Sequence, residues 1–233
     1  MVGIINLDNH LGFMEHVESE CEFYFNLNIS PVSHQSASTA AKERKRELQA
    51  SIRDALKSIN FYIVGDITFY LQWNLHEHKR IETDGAADLD NILKPIIDSF
   101  TGFDALIIDD NQIDNIQAQW AHYYDYHNDK FTIIITYERG QLIPKDSLFL
   151  LQLEKSIYIP IKIYPDKESR KAELEKIIAD YAKRKVAIEE EGYDRGTRRK
   201  NRMQRFFHVN RIDKQFKKGN KSEYLEQALI TRA

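Results

Sequence analysis

The stretch Asp66-Ile67-Thr68-Phe69-Tyr70-Leu71-Gln72-Trp73-Asn74-Leu75 places Ile67, Phe69, Leu71 and Trp73 at every second position. That period fits a strand with one buried face. Outward toward the N-terminus, Ala40–Ser58 switches to helical spacing through Leu48, Ile52, Ala55 and Leu56, with Ser38 or Thr39 as N-cap. Further out, Glu20–Ser30 alternates again through Phe23, Phe25, Leu27 and Ile29, and Pro31–Ser38 reads as a loop. On the other side, His76–Ala87 is polar and loop-like, and Leu89–Phe103 is a second helix with Ile92, Ile96, Phe100 and Phe103 on one side. Ile113–Tyr124 and Phe131–Tyr137 read as strands joined as a hairpin across Asp125–Lys130. The order β-α-β-α-β-β predicts an α+β fold, a mixed sheet with helices on one face.

The chain has 233 residues, 42% hydrophobic and 30% charged, which excludes a disordered polymer. One cysteine, Cys21, excludes an internal disulfide framework and Cys-rich zinc sites, and it reads as a small core residue. Leu142–Tyr164 is interrupted by Lys145, Asp146, Glu154, Lys155 and Lys162, too charged to span a bilayer. Met1–Phe13 has neither a basic leader nor an apolar core, so the expectation is a cytoplasmic protein without a membrane partner.

Charge divides the chain. Residues 1–140 carry 11 Lys and Arg against 22 Asp and Glu, whereas residues 141–233 carry 22 against 14. The expected organisation is therefore a catalytic domain, 1–140, and a basic C-terminal extension, 141–233. The extension reads as one or two strands in Leu148–Ile163 and a helix over Asp166–Glu190 with a narrow stripe of Leu174, Ile177, Ile178, Tyr181 and Val186. Gly192–Lys221 holds 11 basic residues against two acidic ones, with Met203, Phe206, Phe207, Val209, Ile212 and Phe216 as an apolar side. A short last helix is expected over Ser222–Ile230. Such a segment can meet a polyanion or pack on acidic protein.

Chemistry concentrates in Asp88-Leu89-Asp90-Asn91-Ile92-Leu93-Lys94-Pro95, then Asp98, then Asp109-Asp110-Asn111-Gln112-Ile113. Asp88 and Asp90 straddle a helix start, where the positive end of the helix favours carboxylates and where Asp90 or Asn91 can cap. In the extended segment before a helix the two carboxylates point the same way. Lys94 lies one turn after Asp90, and Asp98 one turn later on the same stripe. Asp109 and Asp110 end an apolar run and enter a strand that can lie beside the helix. Bare carboxylates 4 Å apart would repel by roughly 4 kcal/mol per pair at an effective dielectric of 20. A hard divalent cation removes that cost, and Mg²⁺ takes its remaining ligands from water and phosphate. Asp88 and Asp90 also read as plain caps, and Asp109-Asp110-Asn111 as a turn. Pro95 predicts a kink, or a regular helix beginning nearer Ile92.

Both blocks and the gap between them, from Asp88-Leu89-Asp90-Asn91 through Lys94-Pro95, Asp98 and Gly102 to Asp109-Asp110 and Gln112-Ile113, resemble the signature of RusA-type Holliday-junction resolvases. The resemblance implies an endonuclease that uses Mg²⁺, or Mn²⁺, to hydrolyse phosphodiesters at four-way DNA junctions in recombination and repair. It implies a homodimer on branched DNA and no organic cofactor. The family's catalytic, metal-binding carboxylates fall on Asp88, Asp90 and Asp110, with Asp109 assisting, and its lysine falls on Lys94. The extension has no counterpart in the shorter family members, and here Lys79-Arg80 is followed by Glu82 and Asp84 where the family is often basic. The phosphate contacts are therefore expected from Arg195, Arg198, Arg199, Lys200, Arg202 and Arg205. The alternatives are a binding or regulatory protein with little catalysis, and a nuclease for flaps, forks or RNA. His76-Glu77-His78 reads as a solvated loop. Trp120, Tyr123, Tyr124 and Tyr126 read as core or dimer packing, with stacking on unpaired bases as the alternative.

Overall fold

The computed structural model describes residues 2–7, 12–28, 38–83, 86–197 and 204–227. In chain order the elements are β1 (Val2–Leu7), β2 (Gly12–Val17), β3 (Glu22–Leu27), α1 (Thr39–Leu56), β4 (Phe61–Ile63), β5 (Ile67–Leu75), α2 (Glu77–Ile81) and α3 (Leu89–Phe100). There follow β6 (Ile113–His122), β7 (Lys130–Tyr137), β8 (Leu142–Pro144), β9 (Leu148–Glu154), β10 (Ile157–Lys162), α4 (Lys167–Glu191), α5 (Tyr193–Gly196), β11 (Phe207–His208), β12 (Lys218–Gly219) and α6 (Lys221–Leu225). They form two compact units, residues 1–59 with 65–141, and residues 60–64 with 142–233.

In the first unit the described strands form one sheet in the order β1-β2-β3-β7-β5-β6. The fold is α+β with a mixed sheet, as expected from the periodicities. β3 is antiparallel to β7, β7 is antiparallel to β5, and β5 is parallel to β6. So β3, β5 and β6 run one way, and the helices that connect them, α1 and α3, both run back. Alternation does what the pattern requires: Ile67, Phe69, Leu71, Trp73 and Leu75 are buried, and the residues between them are half-buried. Phe100 of α3 sets its ring edge against Phe69 at 5.9 Å and Phe25 at 5.0 Å, which seats α3 on the apolar face. Leu48, Ile52 and Leu56 of α1 are buried too, and the Ser38 hydroxyl caps α1 by accepting from the Ala41 N–H at 3.1 Å.

The expected hairpin between residues 113–124 and 131–137 is not formed. β6 and β7 flank β5 on opposite sides. β5 buries five apolar side chains and has the pattern of a central strand with two neighbours. β6 reaches it in parallel through the α3 crossover, which a tight turn cannot provide. The outer side of β6 fits an edge strand, with residues 114–117 all exposed. The polar segment after β5 is not all loop, because it contains α2.

In the second unit, β9 and β10 form an antiparallel hairpin, extended by short pairings with β12 and β11. β4 pairs with β8. Phe149, Leu151, Ile159, Ile161, Ile163, Leu174 and Tyr224 make its core, and the Tyr224 hydroxyl donates to the Lys162 carbonyl at 2.8 Å. α4 begins as expected, with Asp166 accepting from the Ser169 N–H at 2.7 Å. The basic segment contributes Phe207, Ile212 and Phe216 as buried anchors. Among the described residues, no helix is long and apolar enough to cross a membrane.

Candidate active site

α3 carries the motif on its exposed side. Asp88 is its N-cap, in place of Asp90 or Asn91, and the Asp88 carbonyl accepts from the N–H groups of Asn91 and Ile92 at 3.1 and 3.3 Å. Its carboxylate makes no capping bond and is exposed, so the helix start does not consume it. Asp90 already lies in the first helical turn and is exposed, so Asp88 and Asp90 do not share the extended segment expected of them. The helix runs through Pro95 and starts at Leu89, not near Ile92. Pro95 has no N–H for the Asn91 carbonyl.

One turn on from Asp90, the Lys94 ammonium donates to Asp98 Oδ1 at 2.8 Å and to Asp110 Oδ2 at 2.7 Å. Its pKa is held above the ordinary lysine value, chiefly by the hydrogen bond to Asp110 and then by that to Asp98. Arg53 of α1 holds the other end of the helix, its Nη2 donating to the carbonyls of Asp98 and Thr101 at 3.2 Å each. These are carbonyls a helix C-terminus leaves without intrahelical partners.

Asp110 reaches α3 because of what precedes it. Ala105, Leu106, Ile107 and Ile108 are all buried. The Leu106 and Ile107 N–H groups both bond the Phe100 carbonyl, at 3.1 and 3.0 Å, folding the loop back on the helix end. The chain then emerges at Asp109. Gln112 fixes that exit: fully buried, its Oε1 accepts from the Ile108 and Asp109 N–H groups at 2.7 and 3.1 Å, and its Nε2 donates to the Gly65 carbonyl at 2.7 Å. Of the doublet, Asp109 is 7% exposed, whereas Asp110 is half-buried and faces Lys94. The clamp role of Gln112 escaped the sequence reading, although its place three residues after Asp109 is capping-box spacing. Arg53 left no comparable signal.

The structure thus brings Lys94, Asp98 and Asp110 together and sets Asp88 and Asp90 at the head of the same helix. Among the described residues, no group of three His, Cys, Asp or Glu side chains stands close enough to share one metal ion. The donor chemistry still suits a hard cation: Asp98 and Asp110 already share one positive group, and the exposed carboxylates of Asp88 and Asp90 are oxygen donors of the kind Mg²⁺ takes. Of the expected phosphate-contacting residues, Arg195 is exposed on α5 and Arg205 is half-buried. Arg198, Arg199, Lys200 and Arg202 lie outside the described residues. His76 is not a plain solvated residue, because it caps α2 by accepting from the His78 N–H at 3.2 Å. Trp120 stacks on the buried Trp73 at 4.5 Å, whereas Tyr124 is 88% exposed and therefore not core.

The family model for the endodeoxyribonuclease RusA matches residues 23–136, the span from β3 to β7 that holds every one of these acidic residues and Lys94. No curated protein matches the chain. Residues 23–136 of this chain are therefore similar to the RusA endodeoxyribonuclease family.

Proposed function

We propose that the protein is a Mg²⁺-dependent endonuclease, with Mn²⁺ as a substitute, that hydrolyses phosphodiesters at four-way DNA junctions during recombination and repair. The observation that carries the reading is the Lys94 ammonium held between Asp98 and Asp110 on the helix headed by Asp88 and Asp90. A lysine and carboxylates from two distant segments gather on one exposed surface of a chain whose residues 23–136 match a nuclease family.

In this reading Asp88, Asp90 and Asp110 would draw together around the ion, since no three such carboxylates among the described residues stand close enough to share it beforehand. Asp109, buried beside the Gln112 clamp, assists by fixing the backbone that carries Asp110. When bound, such an ion polarises a phosphoryl oxygen and lowers the pKa of a coordinated water. Lys94 orients Asp110 through their 2.7 Å bond, and it supplies positive charge where charge builds on the phosphoryl group. Arg195, Arg198, Arg199, Lys200, Arg202 and Arg205 contact phosphates of the arms. Two opposed strands are cut symmetrically by a homodimer, whose twofold axis supplies two sites.

The test incubates labelled four-way junctions, forks and linear duplexes with the protein in Mg²⁺, beside Asp90→Asn. Cleavage confined to junctions, and reduced at least about a hundredfold in the variant, is expected. Equal cutting of linear duplex would reduce the protein to a general nuclease. An Asp90→Asn variant whose Mg²⁺ titration matched the wild type would favour a DNA-binding protein without catalysis.

A further inference from the structure

We infer that Lys42 and Arg46 of α1 form a phosphate-binding stripe alongside the head of α3, gripping DNA backbone next to the reacting phosphodiester. The inference rests on the nuclease reading above.

Three observations carry it. The first is topology: α1 and α3 connect strands that run the same way, β3 to β5 and β5 to β6, so the two helices run in the same direction on the sheet. The second is the Arg53 contact, which matches the C-terminal part of α1 to the C-terminal end of α3. Lys42, Arg46 and Arg53 are spaced i, i+4 and i+11, so they share one side of α1, the side on which Arg53 meets α3. At 1.5 Å per residue, Arg46 and Lys42 stand roughly 10 and 16 Å before Arg53, while Asp88 stands roughly 15 Å before Asp98. The two cations therefore flank the stretch from Lys94 back to Asp88.

The third observation is that the arrangement works against the helix. Lys42, Arg44, Lys45 and Arg46 crowd the N-terminal half of α1, and its first turn contains no acidic residue. Lys42, in the first turn, opposes the helix dipole, and Lys42 and Arg46 are a like-charged i, i+4 pair, which weakens a helix. Lys42 and Arg46 are exposed, and among the described residues Arg46 pairs with Glu43 across 3.9 Å, with both partners largely in water. A helix selected for stability alone would carry acids in its first turn, whereas those of α1 begin at Glu43 and Glu47. A polyanion reverses the balance, since each phosphate neutralised releases counterions.

The experiment measures the affinity of the full-length protein for a four-way junction in EDTA as a function of salt. It compares the wild type, Lys42→Gln/Arg46→Gln, and the charge-matched control Lys176→Gln/Lys183→Gln on α4. The α1 variant should lose about 1.8 from the slope of log K against log salt, and the control should lose less than half of that. Thermal unfolding of the α1 variant should occur no lower than in the wild type, because the substitutions remove a like-charged pair and, at Lys42, a charge that opposes the dipole. A slope unchanged in the α1 variant, or an equal loss in the control, would overturn the stripe. Cleavage of the junction in Mg²⁺ separates the two ideas: a wild type that binds with the expected slopes but never cuts sinks the nuclease reading and leaves the stripe. A wild type that cuts while the α1 slope stays unchanged sinks the stripe alone.

Discussion

Lys94 stands between Asp98 and Asp110 and bonds both carboxylates. Its bonds at 2.8 and 2.7 Å are half-exposed, and each such pair is worth about 0.2–1 kcal/mol. Lys94→Met should therefore lower the metal-free melting temperature by about 1–8 °C by calorimetry, at about 2–4 °C per kcal/mol for a chain of this size. An unchanged or raised midpoint would mean that the bridge does not stabilise the site. A second residue-scale prediction concerns His16, stacked on Phe23 at 4.1 Å and hydrogen-bonded to the Tyr137 hydroxyl at 2.8 Å. Burial lowers its pKa below the ordinary imidazole value. The fold then favours neutral imidazole, so this contribution is present above about pH 6.5 and lost as pH falls through the folded value. His16→Gln should unfold less steeply with acid below that pH, which a denaturant series at stepped pH will read. At this scale the sequence was informative about one helix: Asp90, Lys94 and Asp98 follow from a four-residue spacing. The contact of Lys94 with Asp110 depends on where the buried run Ala105–Ile108 turns, a matter of tertiary packing that spacing does not encode.

α3 is the element on which the site depends, and its seat is Phe100. The ring is fully buried and meets Phe25 and Phe69 edge-on. Phe100→Ala should destabilise the first unit by about 3–5 kcal/mol in urea unfolding. A loss below 1 kcal/mol would show that the helix is held elsewhere. Elements with a clear period were legible nearly to their ends: α4 was expected over 166–190 and spans Lys167–Glu191. Pairing was not legible. β6 and β7 are neighbours in sequence, yet both pair with β5, on its opposite edges. The short strands Phe207–His208 and Lys218–Gly219 carry too few residues to show any period.

At the scale of the molecule, the charge change near residue 140 coincides with a change of core. The family match ends at residue 136, and the second unit is built on its own apolar cluster. Its β8 strand is paired with β4, a piece of chain that lies between α1 and β5. A polypeptide stopped after residue 141 would keep Phe61–Ile63 but discard the strand that pairs with it. Tyr62, Ile63 and Val64, now 2%, 0% and 1% exposed, would be left as an orphaned, sticky ribbon with open backbone groups. Such a fragment invites precipitation whatever the integrity of its sheet, so poor solubility after that cut would report the missing partner strand and not a failed catalytic fold.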